Sequence, residues 1–166
     1  MKVIAFDVFG TVFDLKPVDR EEVRAYAHHI RQEQWSPLKL PKSWESLNAH
    51  PDSKDGIAML RKDYIVVTCS NGPLGLLTKL SKHNSISWDA IIPLELNKVF
   101  KPNPQAYMTV CEVLDIKPEE MIMVTANEKF GDLEASRKLG MEAILIRGET
   151  GPKTIVELAE TLKQRG

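Results

Sequence analysis

Cysteine is scarce in this chain: Cys69 and Cys111 are the only two in 166 residues. Both lie in apolar segments without metal-ligand spacing, so they read as core thiols of a reducing cytoplasm. No apolar run approaches the ~20 residues needed to span a bilayer, which argues against a membrane role. Charge of one sign is also missing. Lys and Arg total 22, Asp and Glu 23, and the net charge is -1. There is no basic field for nucleic acid and no acidic tail for a charged partner. The start of the chain, Lys2 followed by a short strand-like run and then Asp7, does not read as a signal peptide, so a cytoplasmic location is expected. Four histidines, His28, His29, His50 and His83, show no metal spacing and are expected as surface or cap residues. Internal repeats, low-complexity tracts and long linkers are absent.

What is present is ordinary for a folded domain: 43% hydrophobic and 27% charged residues, in a length that suits a single domain over 1–166 with a sizeable core. Short, β-branched apolar runs alternate with helical patterns. Strands are predicted at 3–6, 65–69, 90–93, 121–125 and 143–146, and helices at 53–61, 74–82, 104–114, 133–139 and 154–164. The runs are nearly continuous, as in strands buried on both faces. This alternation predicts an α/β fold: a doubly wound, Rossmann-like parallel sheet. Residues 14–52 break the rhythm with one helix, predicted at 18–34, and a loop containing Pro37, Pro41 and Trp44. They read as a small helical cap inserted above the strand ends, where open α/β sheets place their ligands.

Four segments follow predicted strands. The first strand ends in VIAFDVFGTVFD, an apolar run stopped by Asp7 and followed by Gly10 and Thr11. The others are Ser70-Asn71-Gly72, Lys101-Pro102, and the run from Thr125 through Asn127, Glu128 and Lys129 to Asp132. A parallel sheet brings these ends to one crevice. An acid, hydroxyl and amide donors, a lysine and a second acid would then meet there. The set suits a carboxylate nucleophile: Asp7 forms an ester, Thr11, Ser70 and Asn71 bond carboxylate oxygens, and Lys101 offsets the negative charge.

In this order, D-x-F-G-T, S-N-G, K-P and a late acidic motif, the residues resemble the haloacid dehalogenase superfamily of hydrolases. Phosphatases of that superfamily usually carry a second Asp two residues after the nucleophile. Phe9 stands there instead, which is similar to the 2-haloacid dehalogenase branch. The stretch Arg31-Gln32-Glu33-Gln34 resembles that branch's R-Q-x-Q, and Tyr107 falls six residues after Lys101 as in the same pattern. The resemblance implies a hydrolase that needs no cofactor or metal. Asp7 would attack the halogen-bearing carbon of a small 2-haloacid, and Arg31 would bind the substrate carboxylate and the departing halide. Lys101 would stabilise charge, with water oriented near Asn127 and Asp132. Phe9, Gln32, Asn71, Tyr107 and Thr125 would shape the substrate site.

The last motif departs from the family pattern S-S-N-A-W-D. Asp132 lies five residues after Asn127 rather than three, and Lys129 replaces a pocket tryptophan. Read as a phosphatase motif, Asp7, Glu128 and Asp132 become a Mg²⁺ ligand set. The inserted segment is also roughly half the family's cap, which leaves three readings open: a larger substrate, a site completed by a second subunit of a homodimer, or a catalytically idle binding relative. Trp35, Leu38 and Trp44 would form either an apolar lid or a staple that packs the short cap onto the core, and the staple is the expected role.

Overall fold

The computed structural model describes residues 2–165. Its elements run β1 (Val3–Phe6), α1 (Arg20–Ile30), α2 (Ser53–Leu60), β2 (Ile65–Thr68), α3 (Leu74–His83), α4 (Pro104–Leu114), β3 (Met121–Thr125), α5 (Asp132–Lys138), β4 (Glu142–Leu145) and α6 (Ile155–Lys163). The four strands are parallel, in the order β2-β1-β3-β4. The chain moves outward from β1 to β2, then crosses back to β3 on the other side of β1. The carboxyl ends of β1 and β3 therefore border the point where the winding reverses, which in open α/β sheets is where a crevice forms.

Side chains alternate across β1. Ile4 and Phe6 join Val66, Ile122 and Val124 under α2, α3 and α6. Val3 and Ala5 join Val67, Met121 and Met123 under α4 and α5. Every residue of β1 and β3 is buried, which is why both read as continuous apolar runs. The segment predicted as a strand at 90–93 forms no strand. It makes one bridge, Val67 to Ala90, and Ile92 N is taken by the Thr68 hydroxyl at 3.0 Å. Pro93 has no N–H to carry a ladder further.

The inserted segment is shorter in helix than its sequence pattern suggests. Pro17 precedes the Asp19 cap, whose side chain accepts from Glu21 N, and the helix closes at Arg31. The chain leaves and re-enters the body at one place: Asp14 N donates to Asn48 O, and Phe13 bridges Ala49. Trp44 is 1% exposed and sits edge-on to Phe9 with centroids 5.3 Å apart. It is the expected staple. Trp35 instead stacks on Phe100.

Helices α2 and α6 pack at very close range through Gly56, where an added Cβ would lie 2.5 Å from Ile155 Cγ2 and 2.7 Å from its carbonyl carbon. Gly56→Ala is expected to lower stability by about 1–3 kcal/mol despite its better helix propensity, because backbone must move to admit the methyl. Denaturant unfolding of the variant checks this; an unchanged or raised midpoint would refute it.

Candidate active site

Asp7 is the first residue beyond β1, and its N–H still donates to Val124 O at 2.9 Å. Its carboxylate therefore stands at the sheet edge, fixed by the strand behind it. Gly10 has φ +85, a conformation that lets the chain fold back at once. Oδ2 of Asp7 accepts from Thr11 Oγ1 at 2.8 Å, Thr125 Oγ1 at 3.1 Å and Asn127 Nδ2 at 2.7 Å. Oδ1 accepts from Lys101 Nζ at 3.0 Å. Four donors thus fix the orientation of one carboxylate.

Lys101 is 1% exposed and places its ammonium between two acids, 3.0 Å from Asp7 and 3.1 Å from Asp132. Burial works against its charge, but Asp132 and Asp7 outweigh it, and the ammonium stays protonated well above its ordinary range. Asp132 opens α5 and is fully buried; its second oxygen accepts from Tyr107 OH at 2.5 Å. Tyr107 reaches it from α4, which starts where the sequence predicts, at Asn103-Pro104. Burial and the adjacent Asp132 charge push the Tyr107 phenol up, so it remains a donor.

Asn71 and Ser70 do other work than the expected holding of carboxylates. Asn71 accepts from Lys101 N at 2.7 Å and donates to Lys101 O at 3.2 Å, pinning that residue's main chain. Ser70 Oγ accepts from Gly72 N and shapes the turn after β2. Gly72 has a packing reason: a Cβ there would lie 2.8 Å from the Phe9 ring. Gln32 is turned away from the cavity and bonds His28 at the end of α1.

A cavity of about 550 Å³ opens over the carboxylate. Asp7, Phe9, Arg31, Lys101, Asn127 and Glu128 line it. Thr11, Thr125, Tyr107 and Asp132 stand behind that lining. Arg31, at the C-cap of α1, is exposed and forms no ion pair among the described residues. The α1 wall carries Val23, Tyr26, Ala27 and Ile30, none of which sequence reasoning picked out. Their i, i+3, i+4, i+7 spacing was the available signal. His50, expected at the surface, is half-buried, with its ring 3.0 Å from Gly10 O.

The expected Mg²⁺ alternative does not fit this donor set. Both oxygens of Asp7 and both of Asp132 already accept from protein donors, and a lysine ammonium occupies the space between them. Glu128 is exposed, and no cluster of three acids, histidines or cysteines able to hold a metal forms among the described residues.

Removing Lys101 would leave two carboxylates facing each other in the interior. Burial already pushes Asp132 upward, with Lys101 opposing, so in Lys101→Met the acid's folded pKa rises further above its unfolded value. A carboxyl shifted that way binds more protons folded than unfolded, so stability falls as pH rises above ~4. Lys101→Met is expected to cost about 3–5 kcal/mol at pH 7, with the deficit shrinking towards pH 4. Denaturant melts at both pH values decide it; a pH-independent deficit would contradict the buried ion pair.

No family model matches the chain. It is 26% identical to (S)-2-haloacid dehalogenase 4A of Burkholderia cepacia over 75% of its own length and 54% of that protein's. The chain thus spans about half the length of that relative. It is 25% identical to (S)-2-haloacid dehalogenase of Xanthobacter autotrophicus, covering 93% of the chain and 83% of the relative. The solved L-2-haloacid dehalogenase from Xanthobacter autotrophicus matches with a TM-score of 0.78 at 19% identity, covering 100% of both chains. The same enzyme with chloropropionic acid covalently bound matches at 0.70 and 22% identity, over 98% of this chain and 88% of that one. In sequence the chain is similar to curated (S)-2-haloacid dehalogenases, and it has the fold of solved L-2-haloacid dehalogenases.

Proposed function

We propose that this protein hydrolyses short (S)-2-haloacids, with Asp7 as nucleophile and residues 14–52 as a reduced cap over the site. One observation carries the reading: a carboxylate held by four donors stands at the floor of a cavity, with Phe9 rather than an acid two residues on. A phosphate ester needs a proton for its leaving group; a halide does not. The names of the sequence relatives support the same chemistry.

Asp7 Oδ1 has one donor and keeps lone pairs for attack; Oδ2 has three. In this reading Oδ1 attacks C2 of the substrate from the side opposite the halogen. A C–O bond forms, the C–halogen bond breaks, and halide leaves with the electron pair. Arg31 receives the substrate carboxylate and the halide, a task its planar fork of donors suits. Water then adds to the ester carbonyl carbon of Asp7. The acyl Cγ–Oδ1 bond breaks while the C2–O bond is kept. One water proton passes to the departing oxygen and the other to solvent, the aspartate is regenerated with an oxygen from water, and a 2-hydroxyacid of inverted configuration departs. Asn127, on the cavity lining, orients the water. Asp132, with both oxygens bonded, holds Lys101 rather than reaching the substrate.

Halide release from (S)-2-chloropropionate without added metal tests this. Asp7→Asn is expected to abolish release. Arg31→Ala is expected to lower kcat/KM by at least ~100-fold, the scale of losing a charge-assisted bidentate contact that strengthens in the transition state. Phosphate release from a generic ester, lost in Asp7→Asn, with no halide release, would overturn the proposal.

A further inference from the structure

The loop carrying the nucleophile is gripped from below by groups that the proposed chemistry does not use. After Asp7 the chain closes on itself: Gly10 N donates to Phe13 O at 2.7 Å, and Val12 N and Phe13 N donate to Val8 O at 2.9 and 3.1 Å. The carbonyls of Gly10, Thr11 and Val12 accept nothing within this turn, and each is met by a side chain, that of Val12 also by His50 N at 2.9 Å. The His50 ring lies 3.0 Å from Gly10 O. Ser53 Oγ donates to Val12 O at 2.8 Å. Arg147 donates twice to Thr11 O, from Nε at 3.1 Å and from Nη2 at 3.0 Å.

Arg147 is the junction of this grip. Its remaining N–H groups reach Asp52 Oδ1 and Oδ2, both at 3.0 Å, and Lys153 O at 3.3 Å. Every donor of the guanidinium is thus engaged, on a carbonyl along one edge and a carboxylate along another. Asp52 immediately precedes α2 and also accepts from Ile155 N, the start of α6, at 2.7 Å. Arg147 lies just past β4 with φ 62, a left-handed conformation a non-glycine residue adopts only where its surroundings hold it. Three elements therefore converge on one peptide carbonyl. Burial pushes the Asp52 carboxyl up, but its hydrogen bonds from Arg147 and Ile155 outweigh that and hold it below its ordinary range, so the clamp is ionic at neutral pH.

That carbonyl belongs to the residue whose hydroxyl touches the nucleophile. Thr11 Oγ1 donates to Asp7 Oδ2 at 2.8 Å and accepts from Ala126 N at 2.8 Å. A water could satisfy the Thr11 carbonyl equally well. A planar fork held on two edges does more, because it sets the tilt of the Thr11 peptide and hence the direction of its hydroxyl. We propose that Arg147, locked by Asp52, is a positioning residue: it fixes the Thr11 peptide and, through Thr11 Oγ1, aims the Asp7 carboxylate. The catalytic consequence rests on the dehalogenase reading; the geometric one does not.

Arg147→Lys keeps the charge but cannot bond carbonyl and carboxylate as a fork. With (S)-2-chloropropionate, kcat is expected to fall about tenfold or more with KM within about twofold, the signature of a misaimed nucleophile. The Ala126 amide proton, which reads the Thr11 hydroxyl directly, should shift upfield and exchange faster. Asp52→Asn should act in the same direction more weakly. Leu162→Ala, a hole at the far end of α6, should lose stability while leaving kcat and the Ala126 amide in place. Arg147→Lys with a lower melting temperature but unaltered kcat and Ala126 amide would overturn the proposal and make Arg147 a structural staple. If the wild-type protein released no halide, the dehalogenase reading would fall, and the Ala126 amide alone would still decide whether the clamp aims Thr11.

Discussion

The structure turns on a buried ammonium. Lys101 lies between Asp7 and Asp132, out of contact with bulk water, and its charge offsets theirs where solvent cannot. Much of the surrounding architecture serves to hold this one side chain. Asn71, after β2, grips its main chain from both sides. Tyr107, from α4, completes the partner acid. The reversal of winding between β1 and β3 sets Asp7 beside Thr125 and Asn127. A buried pair with one partner missing is far worse than an apolar replacement of both, so the four segments stand or fall together.

The same ammonium sorts the chemistry. It takes the space a dication would take between the carboxylates and donates to both. It also divides the two oxygens of Asp7: one accepts only from the Lys101 ammonium, the other from three donors on loop and strand positions. A carboxylate bonded so unevenly presents one reactive edge to the cavity and turns the other to the protein.

The doubly wound sheet was legible in the sequence because burial on both faces leaves an unmistakable apolar run at 3–6 and 121–125. The run at 90–93 misled for the same reason: it is apolar and packed, yet a proline and a threonine hydroxyl end its pairing after one bridge. Asp7, Thr11, Lys101 and Asn127 could be named from loop positions alone, since strand ends in a parallel sheet converge. Asn71 could be placed near the site but not given its job, because an amide serves a peptide backbone as readily as a carboxylate. Gln32 carried the right letter, yet α1 ends early and its side chain folds back on His28. Arg147 and Asp52 escaped notice altogether. Their meaning lies in a contact between segments 95 positions apart, and nothing local in either marks it.

The aromatic seat of the inserted segment has a mechanical consequence. Trp44 and Tyr26 rest on Phe9, two residues from Asp7, and Trp35 rests on Phe100, next to Lys101. A roof anchored on those rings cannot swing open without loosening the supports of both charges beneath it. The cap and the charged floor beneath it are thus coupled mechanically, and a change that loosens one ring is felt at Asp7 or Lys101.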